Sequence, residues 1–254
     1  MNSPGDAHKK DVLEIPDTIN LCLLYTNDLR GEAEQMAYLA TAVKQVRAGE
    51  PYVMLVDSGN WAMGTMLSDT FKGMPMVEIL GALKYDGVGV GEGEMAFGKE
   101  NLYTLSAKAA FPLISCNMIE EQSGKAPPFM KSHVIVQKGP FKVAITGISP
   151  MEKLSNSGLV ARDPFTALPG VMEEINFEKP DLLIVLSRLG IERDEAIVRA
   201  FPQINVIVGG RDGLNLESPR VAGSAFLCQA GERGKFLGRL DLEMQGILRI
   251  TPAK

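Results

Sequence analysis

The sequence predicts an α/β domain with a mixed sheet system, closed near its end by antiparallel strands. Three observations carry this. Short apolar runs alternate with segments whose apolar residues recur at helical spacing. Polar residues and glycines gather where the apolar runs end. From residue 225 onward the sequence alternates apolar and polar, as half-buried strands do. No linker or low-complexity stretch divides the 254 residues, so residues 19–254 read as a single domain behind a polar N-terminal tail, 1–18.

The elements follow in order. "INLCLLYT" is a buried-type strand, and "EAEQMAYLATAVKQVRAG" places Met36, Leu39, Ala40, Val43 and Val46 at helical spacing and closes on a glycine. "PYVMLVDSG" is a second strand and "KGMPMVEILGALKY" a helix. "DGVGVGEGE" is a short strand running into a glycine-rich loop, "KENLYTLSAKAA" a helix, and "FPLISCNM" a strand. "HVIVQKGPFKVAITGIS" is a hairpin turning at Lys138-Gly139. "FTALPGVMEEINFEK" and "RDEAIVRAF" are helices around the strand "PDLLIVLSRLG", and "INVIVGGRDG" is strand plus loop. "AFLCQAG" and "KFLGRLDLEMQGILRIT" close the chain as antiparallel strands.

Composition excludes several classes. The chain is 45% hydrophobic and 22% charged, with 26 Lys and Arg against 31 Asp and Glu. A net charge of -5 without basic clusters argues against nucleic acid as a partner. No apolar run reaches the length of a membrane span. The three cysteines, Cys22, Cys116 and Cys228, form no CxxC pair, so a disulfide framework and a zinc ribbon are not expected. Thiols in apolar runs behave as small hydrophobes. Only two histidines exist, His8 and His133, which excludes a mechanism needing several. The N-terminal residues lack the apolar core of a signal peptide. A cytoplasmic location is therefore expected if Met1 is the natural start, and a periplasmic or surface one if a leader was removed.

Function in open α/β folds gathers at the carboxyl ends of strands. Six such ends carry polar residues: "TNDLRG" (Asp28, Arg30), "VDSGN" (Asp57, Asn60), "GVGEGE" (Glu92, Glu94), "SCNM" (Ser115, Cys116, Asn117), "LSRLG" (Ser187, Arg188) and "VGGRDG" (Arg211, Asp212). Turn chemistry alone explains any one of them; six together point to a shared cleft. In an extended segment residues two apart face one side, so Asp28 and Arg30 are expected to point into one cavity.

At these ends the sequence resembles the N-terminal domain of the 5'-nucleotidase family, of the calcineurin-like metallophosphoesterase superfamily. The family's "TNDxHG" is matched by Thr26 to Gly31, and its "DxGDxxxG" by Asp57 to Gly64. "LxYDxxxxGNHExxxG" is matched by Leu83 to Gly98 and "SANV" by Ser115 to Met118. "LSHLG" is matched by Leu186 to Gly190, "GGHxH" by Gly209 to Gly213, and "QAGxxGxxLGRLDL" by Gln229 to Leu242. The matches run in order from about residue 19 to 245. The resemblance implies a four-layer α/β/β/α sandwich with the site at one edge, and for the family a two-metal phosphoester hydrolysis.

The departures fall on the positions where the family holds its metals. Asp28 matches a ligand. The histidine of "DxH" is Arg30, the bridging aspartate is Asn60, the ligand asparagine is Glu92 and the histidine after it is Gly93. Arg188 replaces the histidine of "LSHLG", and Arg211 and Gly213 replace those of "GGHxH". Arginine has no lone pair to give a metal. The expectation is therefore no binuclear metal centre, no cofactor and no assigned catalytic residue. The cleft would hold Asp28, Arg30, Asn60, Glu92, Asn117, Arg188, Arg211 and Asp212. Its arginines either pair with Asp28, Glu92, Glu94 or Asp212, or form a fork for phosphate, sulfate or a nucleotide-like anion. Three functions follow: a non-catalytic pseudoenzyme, a phosphoester hydrolase with metal-poor chemistry, or a protein-interaction module whose partner is unknown. Trp61 is expected to anchor its loop in the core, and Cys116 to be a core thiol. The family's C-terminal nucleoside-binding domain is not expected in these 254 residues.

Overall fold

The computed structural model describes residues 18–151 and 157–245. The expected N-terminal tail, apart from Thr18, lies outside them, as do the last strand-like residues after Gln245. The first half of the chain builds a five-stranded sheet. Its strands are β1 (Thr18–Thr26), β2 (Val53–Asp57), β3 (Gly87–Gly89), β4 (Leu113–Ile114) and the late strand β13 (Gly238–Gln245), in the order β13-β1-β2-β3-β4. β1 to β4 run parallel and β13 lies antiparallel to β1. α1 (Ala33–Gly49), α2 (Met66–Thr70), α3 (Met74–Ala82), α4 (Glu92–Met95) and α5 (Gly98–Lys108) come from the same half.

The second half builds a six-stranded sheet. It contains β6 (His133–Lys138), β7 (Phe141–Ile148), β9 (Leu182–Ser187), β10 (Val206–Val208), β11 (Arg220–Ala222) and β12 (Ala225–Cys228), in the order β11-β12-β10-β9-β7-β6. α6 (Pro164–Glu178) and α7 (Ile191–Ala200) pack on it. β5 (Met118–Glu120) and β8 (Leu159–Ala161) form a small antiparallel pair.

Strand alternation sorts the core into three seams. Cys22 and Leu24 face α1, α3 and α5, while Leu21 and Leu23 face the second sheet. Val143 and Ile145 meet them there, and Ala144 between them faces α6 and α7. Helices, sheet, sheet and helices thus make the four expected layers.

Three of the segments read from the sequence differ in the structure, and α2 and β8 were not foreseen. β12 runs parallel to β10, and only β11, which was not foreseen, pairs with it antiparallel. Three of its four residues are buried, the pattern of a strand covered on both faces rather than of a closing hairpin. "FPLISCNM" is not one strand: it breaks at residues 115–117 into β4 and β5. The Asn117 side chain makes the break, pinning residues 149 and 162. Glu92 and Glu94 lie in the short helix α4 rather than in a loop.

Candidate functional site

The ends of β1 and β2 are zipped together by their loops. The backbone N–H groups of Asp28, Arg30 and Gly31 donate to the carbonyls of Gly59, Asn60 and Trp61 at 3.2, 2.9 and 2.9 Å. The pairing needs left-handed backbone at Asp28 (φ 50°), Arg30 (φ 48°) and Asn60 (φ 63°). Aspartate and asparagine adopt that region readily; arginine does so at a cost. Asp28 and Arg30 therefore do approach each other, but through a turn and not through extended alternation. Arg30 Nε lies 3.9 Å from Asp28 Oδ1.

Arg188, following β9, is the centre of the arrangement. Its side chain is 0% exposed, although it is among the largest in the protein. Nη1 and Nη2 donate to the two oxygens of Asp28 at 2.7 and 2.9 Å, and Nη2 also donates to Glu92 Oε1 at 2.8 Å. This is the planar two-bond match that a guanidinium makes with a carboxylate. Three glycines make room for it. A Cβ at Gly59 would lie 3.2 Å from Arg188 Cδ, one at Gly91 3.1 Å from Nε, and one at Gly210 would collide with Nη1.

Asp28 is saturated. Besides Arg188 it accepts from Asn60 Nδ2 at 2.9 Å, from the Arg211 backbone N–H at 2.9 Å and from Asn27 Nδ2 at 3.2 Å. Burial alone would push its carboxyl up, but the charge and hydrogen bonds of Arg188 outweigh it and bring it down to about 2. Arg188 is raised in turn: burial works against its charge, and Asp28 and Glu92 more than restore it.

The other predicted site residues are dispersed. Arg30, 35% exposed, pairs with Glu232 at 3.1 Å, a residue the motifs did not single out. Asn117 is fully buried and fully engaged with its own turn. Asp212 is turned towards α7: its Oδ2 accepts from the Ile191 N–H that opens that helix and from Gln229 Nε2. Glu94 is taken up by backbone rather than by an arginine. It accepts from the N–H groups of Asn60, Trp61, Ala62 and Gly91 at 2.7 to 2.9 Å. Burial pushes its carboxyl up, against the pull of those N–H groups. The Arg211 side chain is exposed and, with Met151, Leu189 and Arg193, lines a cavity of about 310 Å³. The three arginines thus do not converge as one fork.

Trp61 anchors its loop as expected: it is fully buried, donates Nε1–H to the Gly89 carbonyl and meets Phe111 edge-on. Cys116 is a free thiol that burial pushes up to about 12. Gly93 has a close neighbour, since a Cβ there would lie 2.6 Å from Asn60 Oδ1. Among the described residues no three His, Cys, Asp or Glu side chains gather to hold an ion.

Sequence reasoning missed a second set of partners. Asn27 ties the 229–233 loop to β1 through Ala230 N–H and the Gly231 carbonyl, and Arg233 pairs with Glu32. Asp194 is buried under the same strand ends. It takes a hydrogen bond from Ser187 Oγ, its Oδ2 has no partner, and burial pushes it up to about 7. Its position inside "RDEAIVRAF" offered no signal, because an acid in the first turn of a helix ordinarily faces solvent.

The two-sheet sandwich with its loop-built edge is a calcineurin-like phosphoesterase fold. The crystal structure of the calcineurin-like phosphoesterase YfkN from Bacillus subtilis matches it with a TM-score of 0.75 at 20% identity, over 89% of this chain and 85% of that one. Within that class the chain resembles the 5'-nucleotidases. It is 29% identical to the 5'-nucleotidase of Bos taurus over 265 residues, covering 88% of this chain and 46% of the relative. The 5'-nucleotidase precursor of Thermus thermophilus matches with a TM-score of 0.78 at 22% identity, over 88% and 51% of the two chains. The chain spans about half the length of the curated relatives it matches. No protein-family model matches it, and no helix among the described residues is long and apolar enough to cross a membrane.

Proposed function

We propose that this chain is a non-catalytic metallophosphoesterase-type domain, kept for binding or assembly rather than hydrolysis. One observation carries the reading: the buried guanidinium of Arg188 occupies both oxygens of Asp28 and one of Glu92. The residues present do not suit a pair of dications. Asp28 has its lone pairs committed to Arg188, Asn60, Asn27 and Arg211 N–H. Arg30 and Arg188 offer no lone pair and would repel a second cation. Hydrolysis needs a metal-ligand set or a positioned base to generate hydroxide, and neither is supported among the described residues: no ligand set gathers, and His133 on β6 is turned to Glu174, 3.6 Å away.

The test is elemental analysis of the purified protein with a phosphoesterase and nucleotidase screen, with and without added manganese. Trace metal and no manganese-dependent turnover are expected. Stoichiometric transition metal together with hydrolysis would return the chain to the hydrolases. Calorimetric titration with phosphate, sulfate and AMP addresses the anion reading. A flat response is expected from a self-paired cleft; saturable binding that Arg30→Ala removes would instead assign an anion site.

A further inference from the structure

We infer that Arg188 is a tethered cation filling an acidic site that, once emptied, takes a hard divalent ion, so that this side chain makes the fold independent of metal. The inference rests on the reading above and concerns what the guanidinium does there.

The charges come first. Asp28 and Glu92 bring two negative charges to one point, and Asp28 is fully buried. A buried carboxylate without a counter-ion is strongly disfavoured. Arg188 supplies one positive charge at the meeting point, and Arg30 a second at 3.9 Å from Asp28. The walls come next. Gly59, Gly91 and Gly210 surround the guanidinium with backbone, and their missing side chains leave a hollow of its own size. The two acids and Arg188 come from the ends of β1, β3 and β9, so the guanidinium ties those three strand ends together.

The fit is incomplete in a telling way. Glu92 Oε2 is buried without a partner, and so is Arg188 Nε. The Arg188 fork, with its N–H directions fixed, reaches three of the four oxygens of these two carboxylates and leaves its Nε–H unused. A spherical cation has no such restriction. Asp28, Glu92 and the Asn60 side-chain carbonyl offer oxygen donors from three elements, the donor type that hard divalent ions prefer with water completing the shell. Turning the Asn60 amide to present its carbonyl exchanges the Nδ2 bond to Asp28 for a contact with the ion.

The test compares native protein with Arg188→Ala and with Arg188→Met, which keeps the length of the stem. Thermal unfolding is followed with EDTA, and with manganese, magnesium or calcium chloride as probes. The native midpoint is expected to ignore all of them. Both variants should melt earlier in EDTA and recover in a saturable, stoichiometric manner with a divalent ion, and Asp28→Asn in the Arg188→Ala background should abolish the recovery. Variants that stay folded but ignore every divalent ion would overturn the inference. So would variants that recover only on acidification, because the site would then neutralise itself by protonating Asp28. Variants that fold under neither condition count against it as well. A native protein that loses stability in EDTA would instead strike the non-catalytic reading itself.

Discussion

Asp28 is a buried acid that stays ionised because Arg188 is there, and the converse also holds. Removing one partner leaves the other uncompensated, so Arg188→Met should cost about 3–5 kcal/mol in urea unfolding at neutral pH. Replacing both, as Asp28→Leu with Arg188→Met, should recover much of that, because an apolar pair needs no counter-ion. The pH dependence has a definite sign. The folded Asp28 carboxyl lies at about 2, below its ordinary value of 3.8. Its contribution is complete above 3.8 and is lost as pH falls towards 2, and Arg188→Met should erase that acid limb. Asp194 acts the other way. Burial raises it from 3.8 to about 7, so it holds its proton in the fold and releases it in the unfolded chain. Native stability therefore falls across that window, on the order of 1 kcal/mol per pH unit. Asp194→Asn should gain on the native protein progressively from about pH 4 to about pH 7; a constant difference would refute it. Arg188 and Asp28 were legible in the sequence because both stand inside strand-end motifs. Glu232 and Asp194 were not, since nothing local distinguishes an acid that meets its partner only after the chain has folded.

The loop after β2 is built on an acid as well. Glu94 gathers four backbone N–H groups that no regular element would otherwise satisfy. Glu94→Ala leaves those donors buried and unpaired and should cost about 2–4 kcal/mol. Trp61 is the single tryptophan and is fully buried beside that carboxylate. Its emission should shift to the red in Glu94→Ala while the far-ultraviolet spectrum of the sheets is kept. An unchanged emission would mean that the loop holds without its acid. The long elements could be read from periodicity, since α1 buries Met36, Leu39 and Val43 as its spacing required. The short ones could not. α2 is held by the Thr65 cap and α4 by Glu94, which reaches back to the Gly91 N–H, and five or four residues carry no period.

The two sheets share one dry seam, in which Leu21, Leu23, Ile145, Ile184 and Val206 are completely covered. Ile184 lies on a central strand, between β7 and β10. Ile184→Ala should cost about 2–5 kcal/mol and lower stability of both sheets in a single transition. Two separate transitions by fluorescence and circular dichroism would show that the layers melt independently. At this scale the α/β class was legible from alternation alone, and the pairing of two sheets face to face came with the family resemblance. The direction of β12 was not legible, because four residues, three of them buried, carry no mark of which neighbour they will join.

The tight approach at Gly93 links this position to the buried acid of the cleft. A side chain at position 93 would run into Asn60 Oδ1, and Asn60 is itself held in place by Asp28, which is held by Arg188. Exchanges at positions 93 and 60 are therefore coupled rather than independent. A side chain installed at 93 asks the Asn60 amide to turn aside and give up its bond to Asp28, whereas with a smaller residue at 60 it meets only Met63. Positions 93, 60 and 28 thus form one short chain of contacts, so a change at the first is felt by the buried acid at the last.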